Sequence, residues 1–476
     1  MFQKYIFISI YIIFLRIVKN KKAIVLIFIS NIISGFAQGI SMIAIPLFFI
    51  STLDEPLVFY NFYLFVTFLV LFWGLYAGTI IDRYCRKKIF VYTNIICGSI
   101  ILFSSIYGFY IDFTEHNLDF SFFNIDVYMQ SPLVLLVFGL TMFNYNIHYP
   151  NLYAFVQEIT DKKNYGRINS YIEIQGQVTS MFAGAFAAIL LSGINLEFGF
   201  FPELSMYSSP DFCVYLFDFL SSLPPLIVES WSIHEIFLMD AITYFISAIL
   251  FLFIQYYPIK ERMIDISSVY YRLKGGLNYL KNHDIVFSFG VWSYMLFAFT
   301  LVEIHVLLPL YVKRFLGYSD GSGFGFVFAF AEVFYSIGAI LSGLLIYRFL
   351  RSTNTYLSII LLISVVSIGF FGMSFIDSLV LFFFVNLLLG ITNAGVRILR
   401  TTYLFTQIPN NFMGRATSVF SSINVVVRML LIYLFSQAFF LDGDNIRWGY
   451  FIGFIMLLIT VLFLFRIYVI DKKSIT

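Results

Sequence analysis

Six ionisable side chains stand inside long apolar runs: Glu173, Glu303, Glu332, Arg397, Arg400 and Arg428. A charge at the centre of a bilayer costs roughly 3 kcal/mol on insertion scales. Six facing lipid would cost on the order of 18 kcal/mol, more than the net stability of a typical domain. They must face protein or water. Glu332 falls ~16 Å into its run at 1.5 Å per residue, near the midplane. Arg397 and Arg428 each lie ~20 Å from the nearer basic segment, so one layer can hold all three. The chemistry open to them is proton exchange beside a fixed charge. Arginine stays protonated, whereas a desolvated carboxyl can exchange its proton near neutrality unless an arginine holds it ionised. Glu332 is the candidate switchable group, with Arg397 or Arg428 as counter-charge. A static salt bridge between helices is the competing reading. Glu303, nearer the outer surface, is a gate candidate, and Glu173 suits a partner for nearby Arg167. His148 is a candidate ligand, or a hydrogen-bonded helix histidine.

Helical spacing groups further polar residues. Asn386, Asn393, Arg397 and Arg400 share one face, as do Ser421, Asn424 and Arg428. Asn31, Ser34, Gln38 and Ser41 form another stripe, and Thr141, Asn144, His148 and Asn151 a fourth. Such stripes are expected to line a cavity, although small polar residues also join helices.

The elements that must position these groups are membrane helices. The chain has 476 residues, of which 60% are hydrophobic and 12% charged, about half the charged fraction of a soluble domain. Its mean hydropathy is +0.88, and it reads as an all-α polytopic membrane protein. Cys85, Cys97 and Cys213 have neither disulfide nor metal spacing. The 61 Phe and 33 Tyr are read as lipid-facing bulk and codon bias before any aromatic site. There is no G-x-x-x-x-G-K-[ST] phosphate loop, and His234-Glu235 lacks the second His of a zinc helix. No cofactor, metal, nucleic acid or enzyme activity is expected.

Twelve spans with both termini inside fit the charge distribution. Of 29 Lys and Arg, only Lys313, Arg314 and Arg447 fall in the outer connections and three lie within spans. The rest collect on one side, the cytoplasmic one by the positive-inside rule. The run 5–15 between Lys4 and Arg16 is too short to span and reads as interfacial. The expected organisation is an interfacial segment 1–22, a six-helix bundle 23–257, a cytoplasmic amphipathic linker 258–285 and a second six-helix bundle 286–476. In the linker, Leu273, Leu277 and Leu280 share a face that should lie on the inner membrane surface, with Lys274 and Lys281 off it.

The two bundles repeat each other weakly, a signature of many transporter folds. IPLFF at Pro46 pairs with LPLYV at Pro309. Gly78, Arg83 and Arg86 pair with Gly343, Arg348 and Arg351, and YGRINS at Gly166 with MGRATS at Gly414. The loop Gly78-Thr-Ile-Ile-Asp82-Arg83-Tyr-Cys-Arg86-Lys87-Lys88 resembles the G-x-x-x-D-R-x-x-R-K signature of the major facilitator superfamily. GRINS (166–170), LKGGLNYLKNHD (273–284), LPLYVKRFLG (308–317) and GRATSVFSSI (414–423) look like its macrolide-efflux and enterobactin-exporter branch. The resemblance implies two pseudo-symmetric bundles, a central cavity, alternating access, and an inner gate at Gly78, Asp82, Arg83, Arg86 and Arg348. Two departures stand out. The place of the antiporter G-P-x-x-G-G segment reads Ala183-Gly184-Ala185-Phe186-Ala187-Ala188, and Tyr347 stands where the second loop should carry its acid. The function expected is proton-coupled export of an amphipathic small molecule by a monomer in a bacterial inner membrane. An importer of a nutrient or siderophore and a membrane receptor are the alternatives.

Overall fold

The computed structural model describes residues 21–114, 120–122, 125–127, 131–160, 165–196, 226–255, 269–318, 321–349 and 354–475. The interfacial segment before Lys21, Arg351, and the side chains of Asp82, Gly166, Arg167, Glu173, Tyr347 and Arg348 lie outside that description.

Six long helices come first: α1 (Lys21–Leu47), α2 (Pro56–Arg83), α3 (Arg86–Thr114), α4 (Ser131–Ile159), α5 (Tyr165–Ser192) and α6 (Ile233–Leu252). The amphipathic α7 (Val269–Lys281) follows. A segmented span, α8 (284–315), then precedes α9 (Gly321–Phe349), α10 (Thr355–Phe375), α11 (Leu379–Gln407), α12 (Asn410–Phe435) and α13 (Arg447–Ile475). The only strands among the described residues are two antiparallel pairs in connections, β1 (Phe120–Phe122) with β2 (Ile125–Val127) and β3 (Ile194–Leu196) with β4 (Leu226–Val228).

Ten described helical segments are long and apolar enough to cross a membrane. The two that fall short are α4, interrupted by Asn144, Asn146 and His148, and α5, whose counted apolar stretch is only Val178–Ser192. The protein is an integral membrane protein of twelve long helical segments. A lipid-facing rim shows in exposed Phe65, Phe72, Leu361 and Val380, while Phe59, Phe138, Phe237 and Phe299 are fully buried.

In the first six helices α1 packs on α4, α5 and α6, and α3 on α4 and α6. In the last six, α9 packs on α11, α10 on α11 and α13, and α8 on α12 and α13. The two sets meet along α5 with α9 and α2 with α12.

The Pro46/Pro309 repeat is visible in the backbone. Each proline leads into a π-helical turn, Phe48–Thr52 after α1 and Tyr311–Phe315 in α8. Each turn closes with the same two bonds, Leu53 N–H to Phe48 O and Glu55 N–H to Phe49 O, then Leu316 N–H to Tyr311 O and Tyr318 N–H to Val312 O. A left-handed residue ends each, Asp54 at φ 55° and Gly317 at φ 73°. Glycine adopts that conformation freely and aspartate tolerates it. The copies touch: Lys313 Nζ donates to Ile50 O, its own repeat position 263 residues earlier, and to Asp54 Oδ1 at 2.7 Å.

The linker helix α7 packs against the second half. Tyr279 stacks on Phe412 at 4.6 Å between ring centroids. A Cβ on Gly276 would come within 2.5 Å of the Arg415 carbonyl, so α7 is seated on the start of α12. Two segments that carry the sequence resemblance, LKGGL and GRATS, are therefore in contact.

Candidate functional site

Where the two sets of helices meet, Glu332 of α9 faces the small segment of α5. A Cβ added at Gly184 would lie 2.9 Å from both Cγ and Oε2 of Glu332. Only a residue without a side chain lets the carboxyl lie there. Glu332 is 3% exposed, and among the described residues it joins no ion pair. The expected pairing with Arg397 or Arg428 is not formed in this structure. Two further groups, Tyr335 and Glu303, lie within its electrostatic reach. Tyr335, a turn along α9, accepts a 2.7 Å bond from Asn393 Nδ2 on its hydroxyl. Glu332, Glu303 and Arg397 all lie within electrostatic reach of that hydroxyl.

Glu303 opens a π-helical turn of α8, Glu303–Leu307, a distortion frequent at functional sites. Its Oε1 accepts from the Tyr450 hydroxyl at 2.9 Å, and Oε2 has no hydrogen-bond partner among the described residues. Glu332 is within its electrostatic reach. Two buried carboxyls and two phenols thus share one region, with Arg397 at its edge.

The other arginines turn elsewhere. Arg428 faces the Tyr63 hydroxyl of α2 and lies near His305. Arg400 donates to Ser293 O at 3.0 Å and lies over the Tyr294 ring, 3.6 Å from its centroid. Asn424 donates to Tyr294 O at 3.2 Å. Helix α8 breaks at Tyr294, and backbone carbonyls released in hydrocarbon need protein donors. Arg400 supplies one from α11 to Ser293 O, and Asn424 of α12 adds a second bond to Tyr294 O, which already accepts from Ala298 N–H, so both are engaged at the break.

The polar stripes expected to line a cavity are mostly zipped to one another here. His148 Nε2 meets Asn31 Oδ1 at 2.8 Å, Asn144 donates to Tyr244 OH at 3.1 Å, and Gln38 reaches Thr141 O at 3.4 Å. Asn386 bonds back to Phe382 O of its own helix. All five side chains at Asn31, Gln38, Asn144, His148 and Asn386 are buried, whereas Asn393 and Arg397 keep partial exposure. Without water, amides pair across helices, which favours the seam.

The described part of the signature loop holds its own half together. Arg86 pairs with Glu158 at 2.7 Å, its carbonyl receives Asn151, and Lys87 caps the end of α6 through Leu252 O and Ile254 O. Arg83 is exposed. The opposite end is bridged by Asp54 with Lys313 and Arg314, and by Tyr60 OH donating to Val306 O at 2.9 Å.

Sequence spacing missed Asp240, buried in α6 and bonded by Ser41 Oγ at 2.6 Å. The in-span charge argument applied to Ile233–Leu252 would have found it. Tyr63, Tyr335 and Tyr450 carry no such signal, because tyrosine is abundant throughout the chain.

Among the described residues the architecture is a twelve-helix membrane fold with paired halves and buried carboxyls where they meet. A sequence profile of the Major Facilitator Superfamily matches residues 219–432. No curated protein sequence matches significantly. Among solved structures, a bacterial homologue of the human lysosomal transporter Spinster, inward-facing and occupied, superposes with a TM-score of 0.63 at 13% identity, covering 94% of this chain and 96% of that one. A D-xylose–proton symporter gives 0.62 at 10% identity, covering 93% and 97%. The nucleoside transporter NupG gives 0.60 at 11%, covering 93% and 100%. At these identities the likeness establishes the fold alone.

Proposed function

We propose that this chain is a secondary active transporter of the major facilitator type that exports an amphipathic small molecule by alternating access, with protons as the coupling ion. The observation that carries the reading is Glu332 buried against Gly184. A titratable group lies on the α5/α9 contact, where the two halves must move against each other. Glu303, Tyr335 and Arg397 complete the charge layer. Arg428, Arg400, Asn424 and the inner-loop residues Gly78, Asp82, Arg83, Arg86 and Arg348 position it or gate it. The bundles 23–257 and 286–476 are the rocking units, with 1–22 on the membrane and 258–285 as linker. The protein works as a monomer in a bacterial inner membrane with its basic end cytoplasmic.

Export is supported by the four motifs resembling the macrolide-efflux and enterobactin-exporter branch, two of which, LKGGL and GRATS, pack together. The test has two stages. A panel of macrolides, siderophores, nucleosides and sugars is screened by thermal stabilisation, since binding to the folded state raises apparent stability. Stabilising compounds are then added to proteoliposomes enclosing a pH dye. Proton flux opposite to the compound supports export, flux in the same direction supports import, and binding without flux supports a receptor.

A further inference from the structure

The first half holds a buried carboxyl that the charge layer of the second half does not use. Asp240 has no exposed surface. Its Oδ2 accepts from Ser41 Oγ of α1 at 2.6 Å, and its Oδ1 has no hydrogen-bond partner among the described residues. The titratable groups facing it are the Cys97 thiol of α3 and the Tyr244 hydroxyl, one turn along α6. From α1 it meets the neutral Ser41, and from α4 the neutral Asn144 donates to the neighbouring Tyr244. No described Lys, Arg or His pairs with it. An ionised carboxylate with no surface open to solvent and no counter-charge among the described residues is costly. A proton on Oδ1 would remove the charge and turn the orphan acceptor into a donor.

Further polar pairs lie along the same helices. Ser247, farther along α6, bonds Ser30 at 2.6 Å and receives Asn94 Nδ2 at 3.0 Å. His148 with Asn31 and Asn151 with Arg86 follow, and Arg86 pairs with Glu158 at the basic end. Separate pairs of hydroxyls, amides and an imidazole thus lie at intervals between Asp240 and that surface, among α1, α3, α4 and α6.

We propose that Asp240 is a second proton-binding site, served from the basic end along this seam. The first half then carries a proton of its own beside the one assigned to Glu332. The step is simple: a proton from the aqueous phase binds Oδ1 of the carboxylate and leaves by the same route. This inference rests on the transporter reading for its purpose, but its test needs neither substrate nor transport.

Infrared spectroscopy of the purified full-length protein through a pH titration reads protonated carboxyls directly. Asp240→Asn should remove one carboxylic C=O band that fades on alkalinisation, and Glu332→Gln a different one. Ser41→Ala, which keeps the carboxyl and removes its donor, should move the Asp240 band to higher frequency. It decides the matter if Asp240→Asn does not fold. The proposal is overturned if no carboxylic band is lost in Asp240→Asn or shifted in Ser41→Ala, or if sodium chloride at constant pH abolishes the band, which would mark a sodium site. Such a result would leave the transporter reading standing.

Discussion

The helix pairs α9/α11 and α2/α4 occupy matching places in the two halves and are packed differently. In the second half Gly338 and Gly390 let backbones meet: a methyl on either would overlap main-chain atoms of the facing helix, Leu387 O and Tyr335 O respectively. In the first half the same positions hold Trp73 and Met142. The Trp73 indole lies against Phe143 and donates to its carbonyl at 2.9 Å, spacing the helices apart. The glycines nearby, Gly74 and Gly139, have room for a methyl, with nearest neighbours at 3.9 and 3.5 Å. The lesson is mechanical. Helix α9, which presents Glu332 to the other half, is packed backbone to backbone against α11, which brings Asn393 and Arg397, so these three groups sit on one tightly joined helix pair. Close approach through small residues is how membrane helices gain packing energy when lipid is as apolar as leucine.

That contrast can be broken by substitution. Gly390→Ala should be the most damaging, costing about 3 kcal/mol, because backbone cannot rotate away from the added methyl. A drop of several degrees in the detergent unfolding temperature would show it, whereas Gly139→Ala should stay within about 0.5 kcal/mol of wild type. Equal effects at both sites would erase the distinction. Arg400→Ala should cost about 1–3 kcal/mol by leaving the Ser293 carbonyl unpaired at the α8 break, and Arg400→Lys should recover part of that. Gly184→Ala tests the boundary between halves. It should cost about 1–2 kcal/mol through overlap with the Glu332 side chain, with most of the loss restored by adding Glu332→Ala. Additive losses would mean the two residues do not share a contact. Asp54→Asn should be mildest, at most about 1 kcal/mol and less at high salt, as befits an exposed pair.

Much of this architecture was written in residue patterns. The apolar runs and the Pro46/Pro309 punctuation marked the helices and a repeat that the π-helical turns at Phe48–Thr52 and Tyr311–Phe315 reproduce bond for bond. The cost of charge in lipid correctly forced Glu303, Glu332, Arg400 and Arg428 into the interior. Partners were beyond reach, because helical spacing says which residues share a face but not what that face meets. Hence spacing matches Glu332 to arginines in its own layer, while its side chain lies against Gly184, a residue with no side chain to advertise. The α8 break at Tyr294 has no proline or glycine to announce it. From spacing, Arg400 therefore reads as a charge-layer group and Asn424 as a cavity group, although both bond the backbone at that break. The α1 and α4 stripes were legible as stripes, but facing each other is a property of the packed bundle.

The central claim is that Glu332 exchanges a proton as the halves move, and Glu332→Gln in proteoliposomes tests it most directly. With the compound that stabilises the protein best, the variant should keep substrate counterflow at equal pH while losing the response of net transport to an imposed pH gradient. Net transport that stays full and gradient-dependent in the variant would contradict it.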